Sequence, residues 1–266
     1  MTIDTENIIL STPFHSIYSC YLFIRAFLFY MYISFIAPTY SILLYCIGLS
    51  KDPSITCAFI VLSTLDTKLI TYNETPLITN GVILTNHRSI ADFYIDIYLF
   101  HCAAIGRYFA VFMTGFNGIL AYFWNKVICI NRNLSRHAIY SKIQQHSPKL
   151  WYYYQEETRC SHLTLPTNYT DVPLKTGLLK SIYEDTNNTP IQIVISKNKE
   201  HVVDEKKLHI GFEINVYSII GEPIYTRDYA TFELFLDKLK LDWHTLWNTI
   251  YFVHSELFEK EPLIIQ

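Results

Sequence analysis

The chemistry suggested by this chain centres on a histidine and an aspartate five residues apart, in the stretch NHRSIAD at residues 86–92. The apolar run GVILT precedes them, and a short run of this kind is typical of a buried strand. In open α/β folds, functional residues collect at the carboxyl ends of strands, which is where His87 would lie. A histidine held by a carboxylate keeps one tautomer and presents its other nitrogen as a base. The sequence therefore predicts that Asp92 holds His87 in such an arrangement.

The geometry of this pair depends on where the following helix begins. On one continuous helix, residues five apart are separated by about 140° around the axis, so the two side chains could not meet. Ser89 and Asp92 have the spacing of a capping box, with Asp instead of the usual Glu, and this predicts a helix start at Ile90. His87 then lies in the preceding turn and can fold back towards Asp92. The alternative interpretation of Asp92 is structural, as a carboxylate that serves a helix N-terminus.

Short apolar segments alternate with longer segments of helical period after residue 66. The strand-like segments are TKLITY, GVILT, RYFAVFM, KVICI, LWYYY, IQIVI and FEINVYSII, and the helical stretches between them are IADFYIDIYLFHCAA, GFNGILAYFWN, LSRHAIYSKIQQH and LKTGLLKSIYED. This alternation predicts an α/β fold with a mostly parallel sheet flanked by helices. We expect the polar stretch SKNKEHVVDEKK (196–207) to be a solvated loop and the tail from residue 229 to be an amphipathic helix.

A charge-free hydrophobic run precedes this α/β domain. Residues 26–50 carry no charged side chain, and about 20 apolar residues are enough to cross a bilayer as a helix. Pro38 lies in the middle of the run, where proline breaks or kinks a helix. Two membrane arrangements follow, a single kinked span or a hairpin whose arms meet near Pro38, and a buried helix pair in a soluble protein is the third interpretation. We predict membrane-associating helices over residues 1–65 and the α/β domain over residues 66–266.

The composition argues against other classes of protein. The net charge is -3, whereas a nucleic-acid-binding protein needs a basic face, so no nucleic-acid partner is predicted. Only 17% of the residues are charged, against about a quarter in soluble domains, which leaves apolar surface for a membrane. The cysteines form no C-x-x-C pair, and we predict no metal site.

The stretch NHRSIAD resembles the first motif of the glycerolipid acyltransferase superfamily, which includes the 1-acylglycerol-3-phosphate acyltransferases and related lysophospholipid acyltransferases. Three further stretches resemble the family's later motifs, in the family's order. VICINR (127–132) resembles the second motif, an apolar strand that ends in Asn or Asp and then Arg. YQEETRCS (154–161) resembles the third, Phe-Pro-Glu-Gly-Thr-Arg, and LKTGLLKSIYEDTNNTPIQIVIS (174–196) resembles the fourth. The resemblance covers most of residues 66–220.

This resemblance implies an enzyme that moves a fatty acyl group from acyl-CoA to the hydroxyl of a lysophospholipid, in phospholipid biosynthesis or remodelling. It makes His87 the base for the acceptor hydroxyl, oriented by Asp92, and places oxyanion-stabilising backbone N–H groups at the start of the following helix. The substrate-binding residues that it implies are Asn86, Arg88, Ser89, Arg132, Glu156, Thr158 and Arg159. Arg132 and Arg159 would clamp the acceptor phosphate. No cofactor is implied besides the co-substrate acyl-CoA, and the expected location is an intracellular membrane of the endoplasmic-reticulum type.

The third motif departs from the family pattern at two positions, where Gln155 and Glu157 replace proline and glycine. Glycine permits a backbone conformation that a side chain resists, and a second carboxylate beside Glu156 adds negative charge where a phosphate should bind. The sequence therefore leaves a second function open, a catalytically weak or inactive protein of this fold that binds lipid or acyl-CoA at a membrane.

Overall fold

The computed structural model describes residues 13–112, 114–131, 133–146, 149–154, 166–185, 187–252 and 263–264. The helices in these ranges are α1 (Pro13–Met31), α2 (Ala37–Cys46), α3 (Pro53–Thr64), α4 (Asp92–Phe100), α5 (Tyr108–Phe112), α6 (Phe116–Phe123), α7 (Arg136–Gln145), α8 (Thr176–Tyr183), α9 (Lys199–Val202) and α10 (Phe232–Phe252). The strands are β1 (Lys68–Thr71), β2 (Gly81–Thr85), β3 (Ala103–Arg107), β4 (Val127–Ile130), β5 (Leu150–Tyr154), β6 (Pro190–Lys197), β7 (Val203–Asp204), β8 (His209–Ile210), β9 (Asn215–Ile220), β10 (Ile224–Tyr225) and β11 (Leu263–Ile264).

Nine of these strands form one mixed sheet, in the order β11-β1-β9-β6-β2-β5-β3-β4 with β10 paired to β6. The central strand β2 runs parallel to both neighbours, β5 and β6, and β3 runs parallel to β4 and β5. The antiparallel pairs are β6 with β9, β6 with β10, and β1 with β11. The predicted α/β fold with a mostly parallel sheet is therefore confirmed.

Two apolar clusters cover the two faces of this sheet. Successive strand residues point to opposite faces, so Ile83 packs in the cluster with α3 and α4, whereas Val82 and Leu84 pack in the cluster with α7, α8 and α10. All five residues of β2 are buried. A central strand covered on both faces fixes the position of the residue that follows it, and that residue is part of NHRSIAD.

The predicted strand RYFAVFM is wrong. The strand lies earlier, at Ala103–Arg107, and Tyr108–Phe112 is helical. The preceding helix ends at Phe100 because His101 adopts a left-handed conformation with φ 52°, which frees the next residues to pair with β4 and β5. A short apolar and aromatic run fits strand and helix equally by periodicity, so the boundary was not readable from the pattern.

The predicted solvated loop at residues 196–207 is also wrong. The stretch contains the end of β6, the short helix α9 and the strand β7, which pairs with β8. Lys199 and Val202 within it are fully buried. A lysine is almost never fully buried unless its charge is paired, and Lys199 contacts an aspartate from α4.

The N-terminal hydrophobic run is helical through Pro38. A π-helical turn at Tyr32–Ile36 joins α1 to α2, and the chain leaves the helix only after Cys46, where Gly48 has φ 77°. Proline lacks an N–H and crowds the carbonyl four residues before it, and a π-helical turn is one way in which a helix accommodates such a disruption. The hairpin with arms meeting at Pro38 is therefore not the observed arrangement.

This run is a candidate membrane segment. The most apolar 18-residue window of the helical residues Tyr18–Cys46 has a mean hydropathy of 1.7, and only 17% of that window is buried. That low burial favours the membrane interpretation over a helix pair in the core of a soluble protein. The charged side chain of Arg25 donates to the carbonyl of Ile210, at 2.7 Å, and its guanidinium lies 5.2 Å from the ring centre of Phe212. The helix therefore turns its charge towards the α/β domain. The predicted division at residues 65 and 66 falls between α3 and β1 and stays a prediction.

Candidate active site

The predicted contact between His87 and Asp92 is present. His87 follows the carboxyl end of β2, and its Nδ1 lies 2.8 Å from Oδ2 of Asp92, the first residue of α4. The helix begins two residues later than the predicted start at Ile90, which leaves the turn long enough for the histidine to fold back. The Asp92 side chain is fully buried, whereas that of His87 is 20% exposed. Nδ1 of the imidazole is thus engaged in a hydrogen bond with the carboxylate of Asp92.

Asp92 also organises the turn that carries the histidine. Its Oδ2 accepts hydrogen bonds from the backbone N–H groups of Arg88 and of Ser89, the latter at 3.1 Å, and Oδ1 accepts from the Ser89 hydroxyl at 3.4 Å. The structural interpretation of Asp92 and the interpretation as a partner of His87 are therefore both satisfied by one carboxylate. The two roles reinforce each other, because the same group that closes the turn fixes the imidazole.

The electrostatics of the pair decide which nitrogen carries the proton. Burial raises the pKa of Asp92, but the Lys199 ammonium and the hydrogen bonds from His87 and the Arg88 backbone outweigh it, so the pKa lies below its usual value. An ionised Asp92 only accepts hydrogen bonds, so Nδ1 of His87 must be the donor. Nε2 is then unprotonated in the neutral ring and can act as a base.

Tyr154, the last residue of β5, packs flat against the imidazole of His87. Its ring stacks on His87 with centroids 4.1 Å apart and an interplanar angle of 14°. The parallel register explains the contact, because Thr85 of β2 lies opposite Tyr154. Burial, together with the neighbouring Tyr152 and Asp96, raises the pKa of Tyr154 well above its usual value, so its phenol stays neutral. This contact was not predicted from the sequence; the place of Tyr154 at the end of a strand parallel to GVILT was the available signal.

A cavity of about 840 Å³ opens beside the histidine. Its described lining residues are His87, Ser89, Ile90, Phe93, Ala104, Ile105, Gly106, Arg107, Val111, Thr114, Val127, Ile130, Leu134, Ser135, Arg136, Ile139, Tyr153, Tyr154, Lys175, Thr176, Gly177 and Leu178. Most of these residues are apolar, three are lysine or arginine, and none of those described is a carboxylate. Such a lining suits a ligand with a long hydrocarbon part and an anionic group. The three cations, Arg107, Arg136 and Lys175, were not predicted from the sequence.

The structure gives Asn86 and Arg88 partners within the protein. Asn86 is fully buried, and its side-chain amide pairs with the backbone of Ser196, donating to the carbonyl at 2.8 Å and accepting from the N–H at 2.9 Å. Arg88 Nε lies 3.4 Å from a carboxylate oxygen of Glu200, and its guanidinium lies 5.8 Å from the ring centre of Trp247. Of the three motif neighbours predicted to bind substrate, Ser89 lines the cavity, and Asn86 and Arg88 fix the turn to β6 and α9.

The other predicted substrate-binding residues, Arg132, Glu156, Thr158 and Arg159, lie outside the described residues, as do Gln155 and Glu157. The described strands that lead to them, β4 and β5, end at Ile130 and Tyr154, and both of these residues line the cavity.

The backbone N–H groups of the turn before α4 have partners within the protein. The backbone N–H groups of Arg88 and Ser89 donate to Asp92, that of Ile90 donates to the Glu205 carboxylate, and that of Ala91 donates to the Ser89 hydroxyl at 3.0 Å. These four groups precede α4, and the expectation that backbone N–H groups at the start of the helix stabilise an oxyanion stays a prediction. These N–H groups stabilise the turn itself, because α4 starts only at Asp92 and side chains accept hydrogen bonds from the N–H groups before it.

The structure therefore defines a mostly parallel α/β fold with helices on both faces and a histidine–aspartate pair beside a cavity, at the carboxyl end of the central strand. The chain is similar to the crystal structure of the 1-acyl-sn-glycerophosphate (LPA) acyltransferase PlsC from Thermotoga maritima, with a TM-score of 0.62 and 16% sequence identity. The match covers 86% of this chain and 97% of that one. No family model matches the sequence, and no curated protein matches it. The predicted resemblance is thus confirmed for the fold.

Proposed function

We propose that this protein is a membrane-bound O-acyltransferase that moves a fatty acyl group from acyl-CoA to the hydroxyl of a lysophospholipid. The observation that carries the proposal is the position of His87, which is paired with Asp92 at 2.8 Å and lines the cavity of about 840 Å³. The fold shared with PlsC supports the same class of reaction. No cofactor is needed, because the thioester of the donor is already activated.

The reaction follows from the tautomer of His87. Nε2 removes the proton of the acceptor hydroxyl while the hydroxyl oxygen attacks the thioester carbonyl carbon, and a C–O bond forms. The tetrahedral intermediate then breaks its C–S bond, and the departing thiolate takes the proton from the imidazolium. Asp92 stabilises the imidazolium through the Nδ1–H bond. General-base catalysis of this kind contributes about 10²–10⁴-fold to the rate.

The cavity lining matches the two parts of the acceptor. Apolar side chains such as Ile105, Val111 and Leu178 suit an acyl chain. Guanidinium groups bind phosphate bidentately, and Arg136 at the start of α7 is placed for this role beside Gly177 of α8. A Cβ at Gly177 would lie 3.3 Å from Arg136 Nε, so the glycine keeps space around the guanidinium. We assign the acceptor phosphate to this cationic part of the cavity. The resemblance in sequence assigns Arg132 and Arg159 to the same phosphate.

Arg136→Ala tests this assignment. Loss of one charge-assisted hydrogen bond, worth about 1.5 kcal/mol, should raise KM for a phosphate-bearing lysophospholipid by about ten-fold. KM for a monoacylglycerol, which lacks the phosphate, should change little. Arg227→Ala is the matched control, because Arg227 is exposed and does not line the cavity. Steady-state rates with both acceptors give the comparison, and an equal rise for the two acceptors would count against a phosphate site.

The N-terminal helix would place the proposed reaction at a membrane surface. Both substrates carry long acyl chains, so the active site must work at a bilayer surface. Many large apolar side chains of the helix face outwards, including Phe23 and Leu28, each 62% exposed. The continuation of this helix in α2 packs against α3 and α6, and α6 lies next to the cavity-lining residue Thr114. Insertion of the helix would therefore hold the cavity close to the membrane.

Phe23→Lys combined with Leu28→Lys should release the protein from membranes. A lysine within the hydrocarbon costs up to about 3 kcal/mol, so two substitutions remove most of the insertion energy of a single helix. The control is Leu234→Lys with Leu241→Lys, which places two lysines at exposed apolar positions on α10. Flotation with lipid vesicles measures binding of each variant. Equal binding of the test and control variants would show that α1 is not the anchor.

The proposed activity is tested by incubating the purified protein with acyl-CoA and a panel of lysophospholipids, followed by lipid mass spectrometry. We expect diacyl products from at least one acceptor. Binding of lipid or acyl-CoA with no product from any acceptor would instead favour the inactive lipid-binding protein that the altered third motif leaves open.

A further inference from the structure

A second charged pair lies directly behind the candidate active site. Lys199 Nζ donates to both carboxylate oxygens of Asp96, at 2.7 and 2.9 Å, and both side chains are fully buried. Asp96 lies one helical turn after Asp92 on α4, and Lys199 is the first residue of α9, two residues after the end of β6 at Lys197. The stretch around Lys199 lies outside the four motifs that resemble those of the acyltransferase superfamily.

This pair is bonded to the segment that carries the histidine. Lys199 Nζ lies 3.4 Å from the Thr85 hydroxyl and 3.3 Å from the Asn86 carbonyl, the two residues before His87. The Lys199 carbonyl accepts from the Ser89 hydroxyl at 3.3 Å. A buried ion pair is seldom more stabilising than apolar residues of the same volume, so stability alone does not account for the two charges.

Side chains from three parts of the fold bring charge close to Asp92. His87 contacts it from the turn, Asp96 lies on its own helix, and Lys199 approaches from α9. The tyrosines Tyr152 and Tyr154 of β5 adjoin the two carboxylates and are neutral, because burial raises their pKa values well above normal. Cys102 adjoins Asp96 and is also neutral, since burial raises the pKa of its thiol. The turn that carries His87 also holds the ion pair of Arg88 with Glu200, and the Glu205 carboxylate accepts from the Ile90 N–H. Among these groups, Lys199 and Asp96 form the pair that adjoins Asp92.

We propose that Lys199 and Asp96 are positioning residues whose opposite charges offset each other beside Asp92, so that the Asp92 carboxylate remains the anion that faces His87. This role rests on the proposed function, because it concerns the base of the transfer reaction. Without Asp96, the ammonium of Lys199 would offset the negative charge of Asp92. Without Lys199, the carboxylate of Asp96 would compete with Asp92 for a proton. Burial raises the pKa of Asp96 to about 6, against the effect of the Lys199 ammonium, so Asp96 is mostly ionised at neutral pH.

Asp96→Asn tests the proposal through the protonation of His87. Diethyl pyrocarbonate modifies the neutral imidazole, and mass spectrometry of the His87 peptide in the full-length protein follows this modification as a function of pH. Removal of the Asp96 charge should move the midpoint of the curve to lower pH by up to about one unit, because the imidazolium loses a nearby anion. Asp96→Ser makes the same change in charge and should move the midpoint in the same direction if the asparagine variant does not fold.

The double variant Asp96→Asn with Lys199→Gln removes both charges and should return the midpoint close to that of the wild type. The control is Asp52→Asn, because Asp52 pairs with Lys126 at 2.8 Å outside this site. Where transfer activity is present, the acid limb of the kcat/KM profile should move with the midpoint. The modification needs no turnover, so it decides the proposal even if the protein transfers no acyl group. A midpoint that stays unchanged in the folded single variants, or a shift that the second substitution does not reverse, overturns it.

Discussion

His87→Ala lowers kcat/KM for acyl transfer by about 10³-fold, the middle of the range for loss of a general base. The expected loss is large because Nε2 of His87 is the group that removes the acceptor proton in the proposed mechanism. The variant should still fold, since the side chain lies on the wall of a cavity and is 20% exposed. Initial rates and a thermal unfolding curve measure the two effects separately.

His137→Ala is the control for this variant, because His137 is an exposed histidine on α7. It should retain wild-type rates. Near wild-type turnover in the folded His87→Ala protein would show that the proposed mechanism is wrong.

Asp92→Asn should lower kcat/KM by about 10²-fold and leave measurable activity, because the base is present but lacks the carboxylate charge that stabilises the imidazolium. The carbonyl oxygen of an asparagine can still accept from the backbone N–H groups of Arg88 and Ser89. The same oxygen position, Oδ2, faces Nδ1 of His87, so the amide oxygen can also accept the Nδ1–H, but the imidazole loses the anion that stabilises its protonated form.

A double variant tests whether Asp92 acts through His87. If Asp92 acts through His87, Asp92→Asn combined with His87→Ala should be no slower than His87→Ala alone, because residues that act as a unit are not additive. Asp185→Asn is the matched control, since Asp185 accepts a hydrogen bond from Tyr140 at 2.8 Å in a different part of the protein. Additive losses in the double variant would contradict the pairing as the source of the effect.

The parts of the site that could be read from the sequence are those encoded locally. His87 and Asp92 are five residues apart, and the strand before them and the helix after them both left clear patterns. The order of strands and helices likewise sufficed for the mostly parallel sheet, because a parallel connection requires a crossover element. The start of α4 was misplaced by two residues, since the same side chains can cap a helix at either position.

The parts that were missed depend on tertiary contacts. Lys199 lies in a polar stretch that reads as a solvated loop, and only the fold brings it to Asp96, 103 residues earlier in the chain. Tyr154 reaches His87 through the register of two parallel strands, which a single sequence does not specify. The cations Arg107, Arg136 and Lys175 come from three separate segments. Lys175 lies in the stretch that resembles the fourth motif, whereas Arg107 and Arg136 have no local pattern that marks them as part of a site.

The central claim is that His87 drives acyl transfer to a lysophospholipid, and one measurement tests it most directly. The purified full-length protein, in lipid vesicles, is given acyl-CoA with an isotope-labelled acyl chain and 1-acylglycerol-3-phosphate, and mass spectrometry follows the labelled diacyl product while free thiol is measured in parallel. We predict labelled product and thiol in equal amounts with the wild type, and a rate about 10³-fold lower with His87→Ala. Absence of labelled product with the folded wild type, or equal rates for the two proteins, would contradict the claim.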